Sequence, residues 1–194
     1  MSALPPDALD QMFRAARTHN AFTGPITDAD LAAIFDLMKW GPTAANSSPL
    51  RIRFIRTPEA KEKLRATLQA GNVDKTMAAP VTALLGYDLE FYEHLPRLFP
   101  HADARSWYVG KEESIRHNAF LNASLQAGYF IVAARALGFD CGPMSGYDSA
   151  QADEAFFAGT QIKSFMLVNL GHGDPAKVYP RGPRFEFGEV CGVV

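Results

Sequence analysis

Residues 112–137 read as a single long helix closed by Gly138, and from residue 120 onward it is apolar on most of its sides. A surface helix hides one apolar stripe and shows the rest to water. A helix apolar nearly all round needs cover on every side, from a large core or from another subunit. A membrane is not that cover: the stretch 119–138 carries Asn122, Ser124, Gln126 and Arg135, and no uncharged apolar run reaches the roughly 20 residues that a membrane helix needs. The rest of the sequence must supply protein to pack around this helix.

With 194 residues, 47% of them hydrophobic, the chain is long enough to bury roughly 70% of its unfolded surface without disulfides or metals. No internal repeat, low-complexity tract or linker divides it, so residues 1–194 are expected to form one domain. Nineteen basic against 21 acidic residues give no electrostatic reason to expect nucleic acid or an anionic membrane surface as partner, and a small molecule is the better expectation. The opening residues, Met1-Ser2-Ala3-Leu4-Pro5-Pro6-Asp7, lack the basic and long apolar regions of a signal peptide. Cys141 and Cys191 stand far apart with no CxxC spacing. Two buried thiols in a reducing cytoplasm are therefore expected.

Leu9, Met12, Phe13 and Ala16 fall at helical spacing, as do Leu31, Ile34, Phe35 and Met38, predicting two amphipathic helices. Thr27, three residues before Asp30, supplies a capping-box start for the second. Residues 52–55 suit a strand, and Pro58 opens a helix through Leu64 and Leu68. The apolar run 80–87 suits a strand covered on both faces, and 163–170 suits another. Residues 88–116, aromatics among charges with Pro96 and Pro100, read as an excursion from the core. Helices outnumber strands, which argues an α+β fold.

The motifs exclude several chemistries. Gly171-His172-Gly173 lacks the third glycine and following helix of a Rossmann fingerprint and reads as a turn. The five histidines, His19, His94, His101, His117 and His172, have no metal-ligand spacing. Ser145 lacks the first glycine of a nucleophile elbow. Two segments offer more. Arg17-Thr18-His19-Asn20 packs a guanidinium, a hydroxyl and an amide into a few residues suited to phosphate or ribityl oxygens, although a solvated helix end would look similar. The small, polar loop 41–49 lets a ligand approach its backbone, as a plain connector also would. Arg181 and Arg184 add positive charge to a phosphate site if the fold brings them to Arg17.

Together these segments are similar to the flavin-dependent nitroreductase family. The resemblance is carried by Ala16-Arg17-Thr18-His19-Asn20, Met38-Lys39-Trp40-Gly41-Pro42-Thr43, Leu98-Phe99-Pro100-His101, Asp103-Ala104-Arg105-Ser106-Trp107, Gly142-Pro143-Met144-Ser145-Gly146 and the stretch 153–159. Over nearly its whole length the chain resembles the malonic semialdehyde reductase (RutE-type) subgroup. The resemblance implies a central mixed or antiparallel sheet flanked by helices and a homodimer with the long helix in its core. Two FMN molecules would sit at the interface, each held by residues of both chains. It places Arg17, Thr18 and Asn20, with His19 between them, at the FMN phosphate, ribityl chain or pyrimidine edge, and Arg181, with Arg184 beside it, at a late phosphate contact. Thr43 and Asn46 fall in a loop given to the partner's flavin, Asn72 beside the ring and Asn122 on the central helix. Ser145 and Gly146 form the turn nearest flavin N5.

The sequence also departs from the wider family. Ala16-Arg17-Thr18 replaces Arg-Arg-Ser, Asn20 stands at an often basic position, and Ser48-Pro49-Leu50 replaces Gln-Pro-Trp, so fewer cations serve the phosphate. The activity implied is ping-pong hydride transfer from NADPH or NADH through FMN, with malonic semialdehyde reduced to 3-hydroxypropionate in uracil breakdown. Arg105, beside Trp107, is the expected reader of the substrate carboxylate, with Arg97 and Lys111 as other cations, and His101 or water is the expected proton donor. A broad nitro or quinone reductase is the rival reading, and a flavin-binding protein without turnover is a third.

Overall fold

The computed structural model describes residues 2–194. Met1, part of the expected 1–194 domain and of the opening segment, lies outside the described residues. The N-terminal helix α1 (Pro6–Leu9) passes into a π-wound turn at Asp10–Arg14, and none of these residues is buried. The expected amphipathic helix is present up to Arg14, with Leu9 and Met12 half-buried and Phe13 54% exposed. After a two-residue strand β1 (Phe22–Thr23), Thr27 caps α2 (Asp28–Met38). Its hydroxyl accepts the Asp30 N–H at 3.2 Å, and Asp30 Oδ2 accepts the Thr27 N–H at 2.8 Å. That reciprocal pairing satisfies two orphan amides of the first turn. Leu31, Ile34 and Met38 are buried, whereas Phe35 is 51% exposed, so the buried stripe is narrower than the spacing predicted.

Strand β2 (Leu50–Ile55) leads to α3 (Pro58–Arg65), which ends before Leu68; that residue instead bridges to Tyr147. A helix the apolar pattern did not announce, α4 (Ala70–Ala78), precedes β3 (Val81–Asp88). Residues 88–116 hold a short helix α5 (Leu95–Leu98) and two 3₁₀ turns. They are less peripheral than expected: Phe91, Leu95, Ala104 and Tyr108 form a small core with Ile115 and Ala119. The long helix α6 (Glu112–Ala136) is followed by β4 (Asp140–Met144), α7 (Ser149–Phe157), β5 (Ile162–Gly173) and a last turn α8 (Phe187–Val190). Gly171-His172-Gly173 is thus the end of a strand and not a turn.

Every named strand pair is antiparallel, in the order β2, β3, β5, with β4 and β1 also on β5. The two faces of the sheet meet different helices. Val81, Ala83 and Leu85 pack with Ile34, Met38, Ala123, Ala127 and Phe130 of α2 and α6, while Leu84 packs with Leu64, Ala152 and Phe157 of α3 and α7. This alternation on one strand, apolar on both faces, is what the unbroken run predicted. Cys141 is buried, and burial pushes its thiol up to about 12. Cys191 is exposed, which corrects the expectation of two buried thiols.

Candidate active site

The fold brings the two ends of the chain together. Arg17, Thr18 and Asn20 share a cavity of about 240 Å³ with Arg181 and Arg184, and Arg135 of α6 joins them. Each guanidinium there donates to main-chain carbonyls: Arg17 to Tyr179, Arg181 to Arg14 at 2.8 Å and Ala16 at 3.0 Å, Arg135 to Met12 at 3.3 Å, and Arg184 to Pro183 at 2.9 Å. Among the described residues no carboxylate lies within 4 Å of any of the four. Four fixed positive charges without a counter-ion, beside a hydroxyl and an amide, form a site for a polyanionic oxygen group. Arg135 is the one charged residue of α6 after Arg116, and spacing gave no reason to place it here.

A second cluster lies at the other end of β4. The Asn72 amide donates to the Gly146 carbonyl at 2.7 Å, and the Gln69 N–H donates to the same oxygen at 3.1 Å. A Cβ at Gly146 would meet the ends of the Asn72 and Gln69 side chains, so a larger residue there would push the Asn72 amide off this turn. Ser145 is exposed and Gly146 half-buried. Lys75, one turn after Asn72 on α4, is half-buried, with no carboxylate within 4 Å among the described residues. The residue spacing gave no sign of it because α4 itself was not expected.

Loop 43–49 is strained and pinned. Ala45, Asn46 and Ser48 hold left-handed backbones at φ 51°, 52° and 43°, costly for side-chain-bearing residues and sustained only where surroundings over-determine them. Asn122 Oδ1 accepts the Ala44 N–H at 2.8 Å, Gln126 Oε1 accepts the Leu50 N–H at 2.9 Å, and Thr43 Oγ1 accepts the Ser48 N–H at 3.1 Å. Asn122 also donates to the Asn118 carbonyl at 2.8 Å. Both of its polar atoms are thus engaged within the chain, where they tie the loop to α6. Asn46 donates to the Leu98 carbonyl at 2.9 Å and ties the loop to segment 88–116.

Three other expected residues lie outside these clusters. His19 is buried and excluded from the guanidinium cavity that its neighbours line. Arg105 makes a two-pronged ion pair with Glu93, both bonds at 2.7 Å, which holds the Glu93 carboxyl below its ordinary range. Its charge is matched within the chain, so a substrate carboxylate would have to compete with Glu93 for it. His101 is exposed, its ring edge-on to Phe99 at 5.5 Å. Among the described residues no helix is long and apolar enough to cross a membrane, and no cluster of three or more His, Cys, Asp or Glu forms a metal site.

An antiparallel sheet with helices on both faces makes this an α+β protein, with a counter-ion-free basic cavity and a glycine turn at the two ends of one strand. The model of the "Nitroreductase family" matches residues 2–172. A Burkholderia lata protein named "Putative NADH dehydrogenase/NAD(P)H nitroreductase" is 57% identical over 194 residues, covering 100% of both chains. Among solved structures, "putative nitroreductase ydfN" of Bacillus subtilis superposes with a TM-score of 0.87 at 24% identity, over 97% of this chain and 99% of that one. A "putative nitroreductase in complex with FMN" from Exiguobacterium sibiricum gives 0.87 at 17%, over 100% of both. The chain belongs to the nitroreductase family.

Proposed function

We propose that this member of the nitroreductase family is an FMN-dependent NAD(P)H oxidoreductase, acting as one domain per chain within a homodimer. The observation that carries the reading is the cavity of four guanidiniums without a counter-ion. It lies about five residue steps along β4 from the Gly146 turn, roughly 16 Å at the rise of a strand, a separation that suits phosphate at one end and flavin ring at the other. Arg17, Thr18, Asn20, Arg135, Arg181 and Arg184 would hold the phosphate and ribityl oxygens. Asn72, Lys75, Ser145 and Gly146 would meet the polar edge of the ring, and Thr43 and Asn46 would serve the flavin of the partner subunit. When bound, FMN supplies the hydride-transferring centre between NAD(P)H and substrate. The names of the B. lata relative and of the FMN-bound neighbour support the same chemistry.

Dimerisation explains the apolar face that the chain leaves open. Leu121, Leu125 and Tyr129 of α6, one turn apart, are all at least 40% exposed, with Phe120 beside them 49% exposed although its ring also meets Tyr87 and Phe165 of the sheet, and a second copy would cover them. The physiological substrate in this reading is malonic semialdehyde, reduced to 3-hydroxypropionate in pyrimidine breakdown. Its carboxylate needs a cation, and with Arg105 matched by Glu93 the reader becomes Arg97, which is exposed in segment 88–116 and has no carboxylate within 4 Å among the described residues. The matched Arg105 also favours a second reading, a broad nitro or quinone reductase that needs no such cation.

The visible spectrum of the purified protein, with the released flavin identified by mass, tests cofactor binding. Colourless protein that takes up no FMN refutes the proposal. Turnover of malonic semialdehyde and of a nitroaromatic, measured side by side, separates the two substrate readings. For the first, Arg97→Ala raises the semialdehyde KM about tenfold, the value of one charge-assisted contact, while Arg105→Ala leaves it within about twofold. The reverse order restores Arg105 to the role.

A further inference from the structure

We propose that His19 is a positioning residue that seats the phosphate-gripping segment on the sheet, an inference that rests on the FMN reading above. Residues 17–20 run extended along the start of β4: Thr18 bridges Cys141, and the His19 N–H donates to the Cys141 carbonyl at 3.1 Å. Successive side chains of an extended segment point to opposite sides. Thr18 and Asn20 line the guanidinium cavity, and His19 between them turns inward and is buried.

The inward ring is fixed from several directions. Its Nε2 lies 3.3 Å from Asp140 Oδ1, and Asp140 Oδ2 accepts the Gly173 N–H at 2.8 Å. One carboxylate thereby joins the histidine to the ends of β4 and β5. The opposite ring atom, Nδ1, is buried with no polar partner, and the ring is not part of the lining of the guanidinium cavity. Its seat has been cleared of side chains. A Cβ at Gly173 would overlap the imidazole, and one at Gly142 would stand 2.5 Å from the His19 carbonyl oxygen. Gly171 does the same for the next inward residue, with a Cβ there only 2.8 Å from that of Phe22. This accounts for Gly171 and Gly173, which resemble a nucleotide-binding motif: they are the bare floor on which residues 19–22 lie. A displaced imidazole would rotate the short extended segment and carry Thr18 and Asn20 away from the guanidiniums.

Such a role acts on the phosphate end alone, so FMN and riboflavin, which differ only by the phosphate, distinguish it from general support of the fold. The test measures the affinity of both for the flavin-stripped full-length chain. His19→Ala is expected to weaken FMN about tenfold, the value of one charge-assisted contact, while riboflavin stays within about twofold. His19→Gln, whose amide can reach Asp140, restores FMN affinity. Asp140→Asn, which cannot accept from both partners, repeats the FMN-selective loss and serves if His19→Ala does not fold. FMN and riboflavin weakened by the same factor, or neither weakened, overturns the role of His19 alone. Wild-type chain that binds neither flavin overturns the FMN reading and the inference with it.

Discussion

Lys61 is buried, and its ammonium donates to the Thr76 carbonyl and the Thr82 hydroxyl, both at 2.8 Å, with no carboxylate within 4 Å among the described residues. Burial lowers its pKa from 10.5 to about 8. Between those values the folded chain binds fewer protons here than the unfolded one, so the contribution of Lys61 to stability grows as pH rises through the window and is lost as pH falls through 8. Its full size is on the order of 3 kcal/mol. Burial moves Cys141 and Tyr147 the other way, each to about 12, and those groups lose stability as pH rises above their ordinary values of 9.0 and 10.0. The net rise is therefore confined to about pH 8 to 9. Denaturant melts of wild type and Lys61→Met across pH 7–10 should show the rise in the first and its absence in the second. Equal slopes would mean that Lys61 titrates normally. Asn122 gives a second residue-level prediction. Asn122→Leu orphans the Ala44 N–H, with an expected cost of about 1–3 kcal/mol, and limited proteolysis should then cut within 43–48, where wild type resists. Neither partner was legible from spacing. Asn122 was expected at the cofactor site from the family resemblance alone, as a polar position on the central helix; the fold engages it with a strained loop from a distant part of the sequence.

At the scale of elements, the patterns that sequence carries well are those set by neighbours in the chain. The Thr27 capping box, the Pro58 helix start and the doubly covered strand β3 all follow from local chemistry. Helix α4 and strand β4 did not announce themselves. The first, Ala-Gly-Asn-Val-Asp-Lys-Thr-Met-Ala, has little apolar periodicity, and the second holds a glycine and a proline in five residues. Both are held by tertiary pairing, α4 through Asn72 and Asn169 and β4 through its five-residue register with β5. The two clusters of the proposed flavin site lie at the ends of β4, so the most informative strand was the least legible. Helix α6 is clearer: its inner stripe of Ala119, Ala123, Ala127 and Ala134 is buried and small, and its outer stripe is apolar and exposed. Leu125→Glu places a charge in that outer stripe. Sedimentation velocity should show a dimer for wild type and a monomer for this variant. Wild type sedimenting as a monomer would remove the second copy as the cover for α6.

For the whole molecule, the resemblance foresaw the α+β fold and its sheet, because a family pattern integrates contacts that spacing cannot. Sequence alone left open whether the termini meet. They do, and Arg17 near one end and Arg181 and Arg184 near the other share one cavity with Arg135 from the middle of the chain. The proposed phosphate end is therefore richer in cations than the motif Ala16-Arg17-Thr18 suggested. Arg135→Ala is expected to weaken FMN about tenfold, comparable with the loss of one charge-assisted contact; unchanged affinity would separate Arg135 from the site. The most direct test of the central claim is an anaerobic titration of the purified, full-length protein with NADPH and, separately, NADH, followed by visible absorbance. The account predicts a yellow protein whose flavin absorbance bleaches at about one reductant per bound FMN and returns on addition of an oxidising substrate. A flavin absorbance unmoved by either nicotinamide would contradict it.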